Sequence, residues 1–432
     1  MTRAGLIITP FAPLIPNRSV TGVFKRLRIF SSAVHRSCGQ VRLLGIVPEQ
    51  EVAAHPDLRP VQEALAAEWG FPVEVALCPS RQRGQTAWNH YGPGTLSIGE
   101  QPEFYHYAGR PQVEAVRREL AAGPDLVFAH RLSAMIPVLR SGLRPANLFF
   151  DLDDLEHKVR LRSSLLPPLS PGKLARLAHL PALVLAEARA VALSRAAFVC
   201  SEADRRDLAR LVPSLRERIR VVPNAVDIPS LREGPLPAPT VLFLGDLRYA
   251  PNRTGAERLI RKIWPRVMAR RPDARLIIAG PWPEGLASFA AAPVGVEFTG
   301  FVEDLPALYR RARIVACPLD TGGGTRIKLI EAAAYCRPIV STTIGAENLG
   351  LNDGEDLLLR DTDEAFAEGV DMLLGDPGFG ERLARSAHGK VARTYSRECV
   401  EDGLATLFTH ALSHPGSAQP PRPAQAISVP QE

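Results

Sequence analysis

Short apolar runs alternate with helix-patterned segments along most of this chain, in two successive series. The first series has runs at 5–9, 41–47, 73–77, 125–129, 148–151, 197–200 and 219–222, with helical patterns near 23–36, 112–121, 183–193 and 203–211. The second has runs at 241–244, 275–279, 296–299, 313–317, 338–341 and 356–359, with helical patterns near 256–270, 305–311, 327–335, 363–374 and 379–394. The runs are apolar throughout, not at every second position, as strands covered on both faces must be. Strand–helix alternation calls for parallel sheets joined by right-handed crossovers. The fold class is therefore α/β, with two doubly wound, Rossmann-like parallel-sheet domains expected to face each other across a cleft.

The boundary between the series is compositional. Residues 228–239 hold four prolines and one glycine with no periodicity, the texture of a linker. The expected organisation is an N-terminal domain at 1–228, a linker at 229–239 and a C-terminal domain at 240–396. A helix at 397–412 and a tail at 413–432 complete it. The tail has five prolines and two charged side chains. Such a segment cannot offset its ordering entropy by burial and is expected to be disordered.

Composition narrows the function classes. A hydrophobic share of 46% with 23% charged residues excludes collagen, coiled coil and wholesale disorder. No stretch approaches the roughly 20 apolar residues of a membrane span, and the first residues lack the apolar core of a signal peptide. The six cysteines, at 38, 78, 200, 317, 336 and 399, form no CxxC pair, which argues against a zinc ribbon. Cys200 and Cys317 lie in apolar runs and read as buried thiols of a reducing, cytoplasmic compartment. The net charge, 52 − 46 = +6, comes without a basic-aromatic stripe and gives no support for nucleic-acid binding.

The most informative stretch is 314–334. An apolar strand ends at Cys317, then Gly322, Gly323 and Gly324 lead into a helix opening near Thr325. Glycines let backbone N–H groups approach a ligand closely, and a helix start favours phosphate. Arg326 and Lys328 sit in the first turn, where the helix dipole disfavours cations by about 0.3–1 kcal/mol each. A diphosphate would offset that cost, with arginine as a fork and lysine as a point charge. Glu331 lies one turn on, on the same face as Lys328, and could accept hydrogen bonds from two ribose hydroxyls. The competing readings are a Gly turn before an amphipathic helix with a surface Lys328–Glu331 ion pair, and a dinucleotide site. No intact GxGxxG opens either domain.

Several segments together resemble the GT-B glycosyltransferases of the retaining family 4 (group 1). They are Val222-Pro223-Asn224-Ala225-Val226-Asp227, Val241-Leu242-Phe243-Leu244-Gly245, Ala274 to Gly280, Val296-Glu297-Phe298-Thr299-Gly300, Gly324 to Ala332 and Arg337 to Thr342. The resemblance is strong over about residues 195–395 and weak before them. It implies transfer of a sugar from a nucleoside-diphosphate donor to a hydroxyl acceptor, a glycan or lipid-linked glycan, with retention at the anomeric carbon. No metal or other cofactor is implied. Glu331 would bind the donor ribose, and Gly322 to Thr325 would face the diphosphate and sugar.

The sequence departs from that family at two places. A second Glu common eight residues before the ribose Glu is here Gly323. An Arg and a Lys common after the first C-domain strand are replaced by Asp246 and by Pro251 or Asn252. Arg326 and Lys328, with Arg248, are expected to take over the cationic role; Arg248 as a solvated loop charge is the alternative. These departures also leave open a catalytically inactive nucleotide-binding or scaffold protein. Glu347 follows the next strand and could contact the donor sugar or be an ordinary loop carboxylate. His130 ends a strand where family members often carry a histidine facing the reaction centre; a core histidine is the alternative. Asp151, Asp153 and Asp154 read as cleft-lining acceptors and not as metal ligands. Residues 160–176 read as a basic loop before a Leu-rich segment, either a peripheral contact on the inner face of the plasma membrane or a plain connection into a buried helix. Only Gly22 remains of the family's first Gly-rich loop, which weakens a donor contact there.

Overall fold

The computed structural model describes residues 3–11, 22–80, 106–165, 170–230, 238–282, 293–321 and 325–414. The described residues divide into two compact units: those of Met1–Pro223 together with 400–414, and those of Asn224–Cys399.

The first unit is built on seven strands: β1 Arg3–Thr9, β2 Gly39–Val47, β3 Glu74–Pro79, β4 Leu126–His130, β5 Leu148–Asp153, β6 Ala196–Val199 and β7 Ile219–Val221. Their order is β3-β2-β1-β4-β5-β6-β7, and every pairing is parallel. All residues of β4 and β5 are buried, the two-sided burial that continuous apolar runs encode. Helix α1, Gly22–Cys38, packs Leu27, Phe30 and Val34 onto the sheet.

The second unit carries β8 Thr240–Leu244, β9 Arg275–Ala279, β10 Val296–Gly300, β11 Ile314–Cys317, β12 Ile339–Ser341 and β13 Leu358–Leu359. Their order is β10-β9-β8-β11-β12-β13, again all parallel. In both units the strand order reverses once, between β1 and β4 and between β8 and β11. Such a switch point opens a crevice at the carboxyl ends of its two strands, where open α/β sheets bind ligands.

Three features differ from the sequence-based expectation. Residues 160–176 are not a loop: helices α2, Glu156–Leu165, and α3, Pro171–Ala178, occupy much of the segment. Ser170 caps α3 by accepting the Lys173 amide at 3.4 Å, and Pro171 sits at the first helical position, where proline starts a helix instead of breaking one. Residues 224–228 belong to the second unit, where Val226 is part of the core and bridges Ser396. The helix expected at 397–412 is α8, Arg397–Ser413. From Val400 it joins the first unit, with Phe408 against Phe149 at 4.7 Å between centroids. Of the expected linker, 231–237 lie outside the described residues, as do 415–432 of the expected tail.

Candidate functional site

In the second unit two helices flank the switch point. Helix α5, Ala250–Arg258, follows β8, and α7, Ile327–Ala334, follows β11. Helix α4, Leu180–Leu193, belongs to the first unit, and α6, Leu305–Arg311, precedes β11 in the second. Helix α7 starts where the apolar run Ile-x-Leu-Ile takes up helical spacing, and its inner face of Leu329, Ile330, Ala332 and Ala333 is buried. That burial orients the remaining first-turn side chains toward the carboxyl end of the sheet.

Lys328 reaches across the switch point. Its Nζ donates to Asn252 Oδ1 of α5 at 2.8 Å and lies 4.7 Å from the centroid of Phe243, a β8 residue. Burial, reinforced by the nearby Arg326 charge and opposed by Cys317 and Glu331, lowers the ammonium pKa below its ordinary value. Among the described residues Lys328 forms no ion pair, so the surface Lys328–Glu331 pair is not what the structure holds. Gly245 makes room for the arrangement. A Cβ there would stand 2.9 Å from Lys328 Nζ and 2.8 Å from Asn252 Cγ.

Glu331 is nearly buried and accepts the Tyr309 hydroxyl, from α6, on Oε2 at 2.9 Å. The same hydroxyl lies 3.2 Å from the Lys328 carbonyl, and the Tyr309 ring stacks on Tyr335 at 4.9 Å. Arg326 is also nearly buried at the N-cap of α7. Thr325 Oγ1 is buried with no hydrogen-bond partner among the described residues. Lys328, Arg326, Thr325 and Glu331 are thus gathered at one helix start. Gly322, Gly323 and Gly324 lie outside the described residues.

Two other expected residues sit differently. Arg248 is exposed and forks onto Asp246, 2.6 Å away, so its charge is matched within its own loop. Glu347 lies half-buried in the turn after β12. From sequence Asn252 was named only as one of two uncharged residues where the family carries a lysine, and Tyr309 was not singled out. A Pro-Asn pair at a helix start hinted at Asn252; no sequence signal marked Tyr309.

In the first unit the switch point lies between β1 and β4. His130, at the end of β4, is fully buried, with Nδ1 at 3.1 Å from Thr9 Oγ1 at the end of β1. Burial and the adjacent Arg131 charge lower its pKa to about 3, so the ring is neutral. Its side chain has no accessible surface in this structure, as the core-histidine alternative expects. Asp151 is a correction to the cleft-lining reading. It is fully buried and accepts Arg26 Nε and Nη2 at 2.7 and 2.6 Å. Arg26 also donates to the Val222 carbonyl at 2.9 Å. Asp153 accepts from Cys200 Sγ at 2.9 Å and pairs with Arg131. Both residues of that pair have positive φ, 64° and 71°. Burial, and then Asp153, raise the Asp154 pKa to about 7. Asp153, Asp154 and Cys200 lie close enough to share a metal ion. Yet both Asp153 oxygens already serve Cys200 and two guanidiniums, a donor set that suits a salt-bridge network better than a cation.

Residues 238–376 match the family described as Glycosyl transferases group 1. That match lies within the second unit, and the two parallel-sheet units give the chain the GT-B fold. The chain is 26% identical over 269 residues to a D-inositol 3-phosphate glycosyltransferase of Acidothermus cellulolyticus, covering 56% of this chain and 59% of that one. It is 31% identical over 199 residues to a phosphatidyl-myo-inositol mannosyltransferase of Mycobacterium leprae, covering 43% of this chain and 52% of that one. The chain therefore spans little more than half the length of these two relatives. Among solved structures it is similar to Anabaena Alr3699/HepE in complex with UDP and glucose, with a TM-score of 0.61, 14% identity and coverage of 93% and 98%; that likeness concerns the fold.

Proposed function

We propose that this chain is a glycosyltransferase that moves a sugar from a nucleoside-diphosphate donor to a hydroxyl of a glycan or lipid-linked glycan, with retention of configuration. The observation that carries the reading is the gathering of Lys328, Arg326 and Glu331 on one helix start at the switch point of a group 1 domain. The transition state has oxocarbenium character, and negative charge builds on the departing diphosphate. The two cations and the α7 amides would meet that charge in a poorly hydrated pocket, where preorganised groups are most effective. Glu331, oriented by Tyr309, would accept the ribose hydroxyls. The reading needs no metal, because the guanidinium and ammonium supply the positive charge.

The reading places the protein in the cytoplasm, at the inner face of the plasma membrane. No helix among the described residues is long and apolar enough to cross a membrane. Between Glu156 and Glu187 the chain has five cations, nine leucines and no acidic residue. There Leu165 and Leu174 are 59% and 57% exposed, and α3 buries none of its residues. Such a basic, leucine-bearing surface supports a peripheral contact, although Lys158 is already held by Asp204 and Asp207.

Release of nucleoside diphosphate from UDP-, GDP- and ADP-sugars tests the reading, with UDP-glucose first because a similar fold was solved with UDP and glucose. One donor should be turned over. Glu331→Ala should weaken donor binding about tenfold, a lost hydrogen bond to a charged group. Lys328→Ala should cut turnover about a hundredfold, more than affinity. Wild-type rates in both variants would sink the assignment.

A further inference from the structure

The cation that the first loop of the second unit lacks is delivered to that loop from another element. After β8 the chain has Asp246 and Arg248, which neutralise each other, and Asn252, which has no charge. The ammonium of Lys328 nevertheless ends beside this loop. It lies 2.8 Å from Asn252 Oδ1 and 4.7 Å from the Phe243 centroid. A lysine has four rotatable side-chain bonds and much rotamer entropy to lose. The contacts with Asn252 and Phe243 remove that freedom before any ligand arrives.

Four details make the contact specific. Asn252 is itself fixed, since its Nδ2 donates to the Asp246 carbonyl at 3.0 Å and leaves Oδ1 turned toward Lys328. Glycine at 245 is required, because a Cβ would intrude on Asn252 and Lys328 together. The backbone under the pair is pinned as well. Gly245 N–H donates to Ala279 O at 2.9 Å, and Gly280 has φ 129° with its Cα so close to Gly245 O that a Cβ would stand 2.0 Å from it. The partner is also neutral. A carboxylate in place of Asn252 would hold the ammonium equally well but would cancel the charge offered to an anion, whereas an amide oxygen holds it and leaves the charge unspent.

We infer that Asn252 is a positioning residue: it sets the Lys328 ammonium across the switch point so that the β-phosphate of a nucleoside diphosphate meets a pre-aimed, uncompensated cation. The inference rests on the donor-site reading above. Asn252 acts through Lys328. The depressed ammonium pKa follows from this design, because a desolvated cation without a counter-ion is proton-releasing until an anion joins it.

The test combines binding with a direct titration of Lys328. Uridine, guanosine and adenosine diphosphates and inorganic pyrophosphate are titrated by calorimetry into wild type, Asn252→Ala and Asn252→Asp. In parallel the pH dependence of reductive methylation at Lys328 is followed by mass spectrometry. Asn252→Ala should weaken diphosphate binding about tenfold. Asn252→Asp, close to isosteric, should weaken it at least as much while raising the Lys328 titration midpoint by about one unit or more. A role in stability alone would not move that midpoint in this direction. In the wild type the midpoint should lie below that of an ordinary lysine and rise when the diphosphate binds, a measurement that needs no variant to fold. If wild type binds none of the four probes, the donor-site reading falls and takes the inference with it. If wild type binds but both variants bind equally well and Lys328 titrates unchanged, the inference alone is overturned.

Discussion

Tyr309→Phe isolates one atom of the candidate site. The Tyr309 ring is fully buried and stacked on Tyr335, so the change removes a hydroxyl and leaves the packing. That hydroxyl donates to Glu331 Oε2 at 2.9 Å. A hydrogen bond to a charged group is worth about 1.5–3 kcal/mol. Glu331 keeps 7% of its surface, so water replaces little of the loss, and a destabilisation of about 2 kcal/mol is expected. For a unit of this size 1 kcal/mol moves the melting temperature by roughly 2–4 °C, giving a fall of about 4–8 °C in a thermal scan of the ligand-free protein. The carboxylate would also lose its orientation, so affinity for the diphosphate identified in the release assay should drop about tenfold, with secondary structure unchanged by circular dichroism. A variant that melts within about a degree of wild type and binds the nucleotide equally well would refute the proposed link between Tyr309 and Glu331.

Two further outcomes concern the first unit. His130 has a folded pKa of about 3 against about 6.5 unfolded, so the unfolded state takes up the extra proton below pH 6.5. The stability this group contributes is complete above that value and declines as pH falls toward 3. From pH 7 to pH 5 the decline is about 2 kcal/mol. The advantage of wild type over His130→Gln in urea unfolding should shrink by about that amount; parallel profiles would contradict it. Asp154, with its raised pKa, works in the opposite sense, losing stability as pH rises toward 7, so the comparison is made between the two proteins and not on wild type alone. Phe408→Ala should cost about 3–5 kcal/mol, because Phe408 is fully buried against Phe149 and Phe198. Chemical denaturation would show little change if α8 were a mere appendage.

All thirteen strands among the described residues were legible as apolar runs, within a few residues at each end, because two-sided burial leaves a local mark on composition. The start of α7 was legible for the same kind of reason, since helical spacing begins right after Thr325. Residues 160–176 were misread because proline punctuates both loops and helix starts, and only the cap at Ser170 distinguishes the two. Arg26 passed unnoticed in a helix rich in basic residues, yet it is the one that the fold takes into the core to meet Asp151.

Sequence alone thus determined the architecture and the kinds of side chain at the second switch point, since both depend on patterns within a dozen residues. Tertiary structure decided which of those groups act together. Lys328 meets Asn252 across 76 positions, His130 meets Thr9 across 121 and Tyr309 meets Glu331 across 22. Whether a charge is matched, buried or aimed depends on neighbours brought by other strands of the sheet, and no local spacing records which ones arrive.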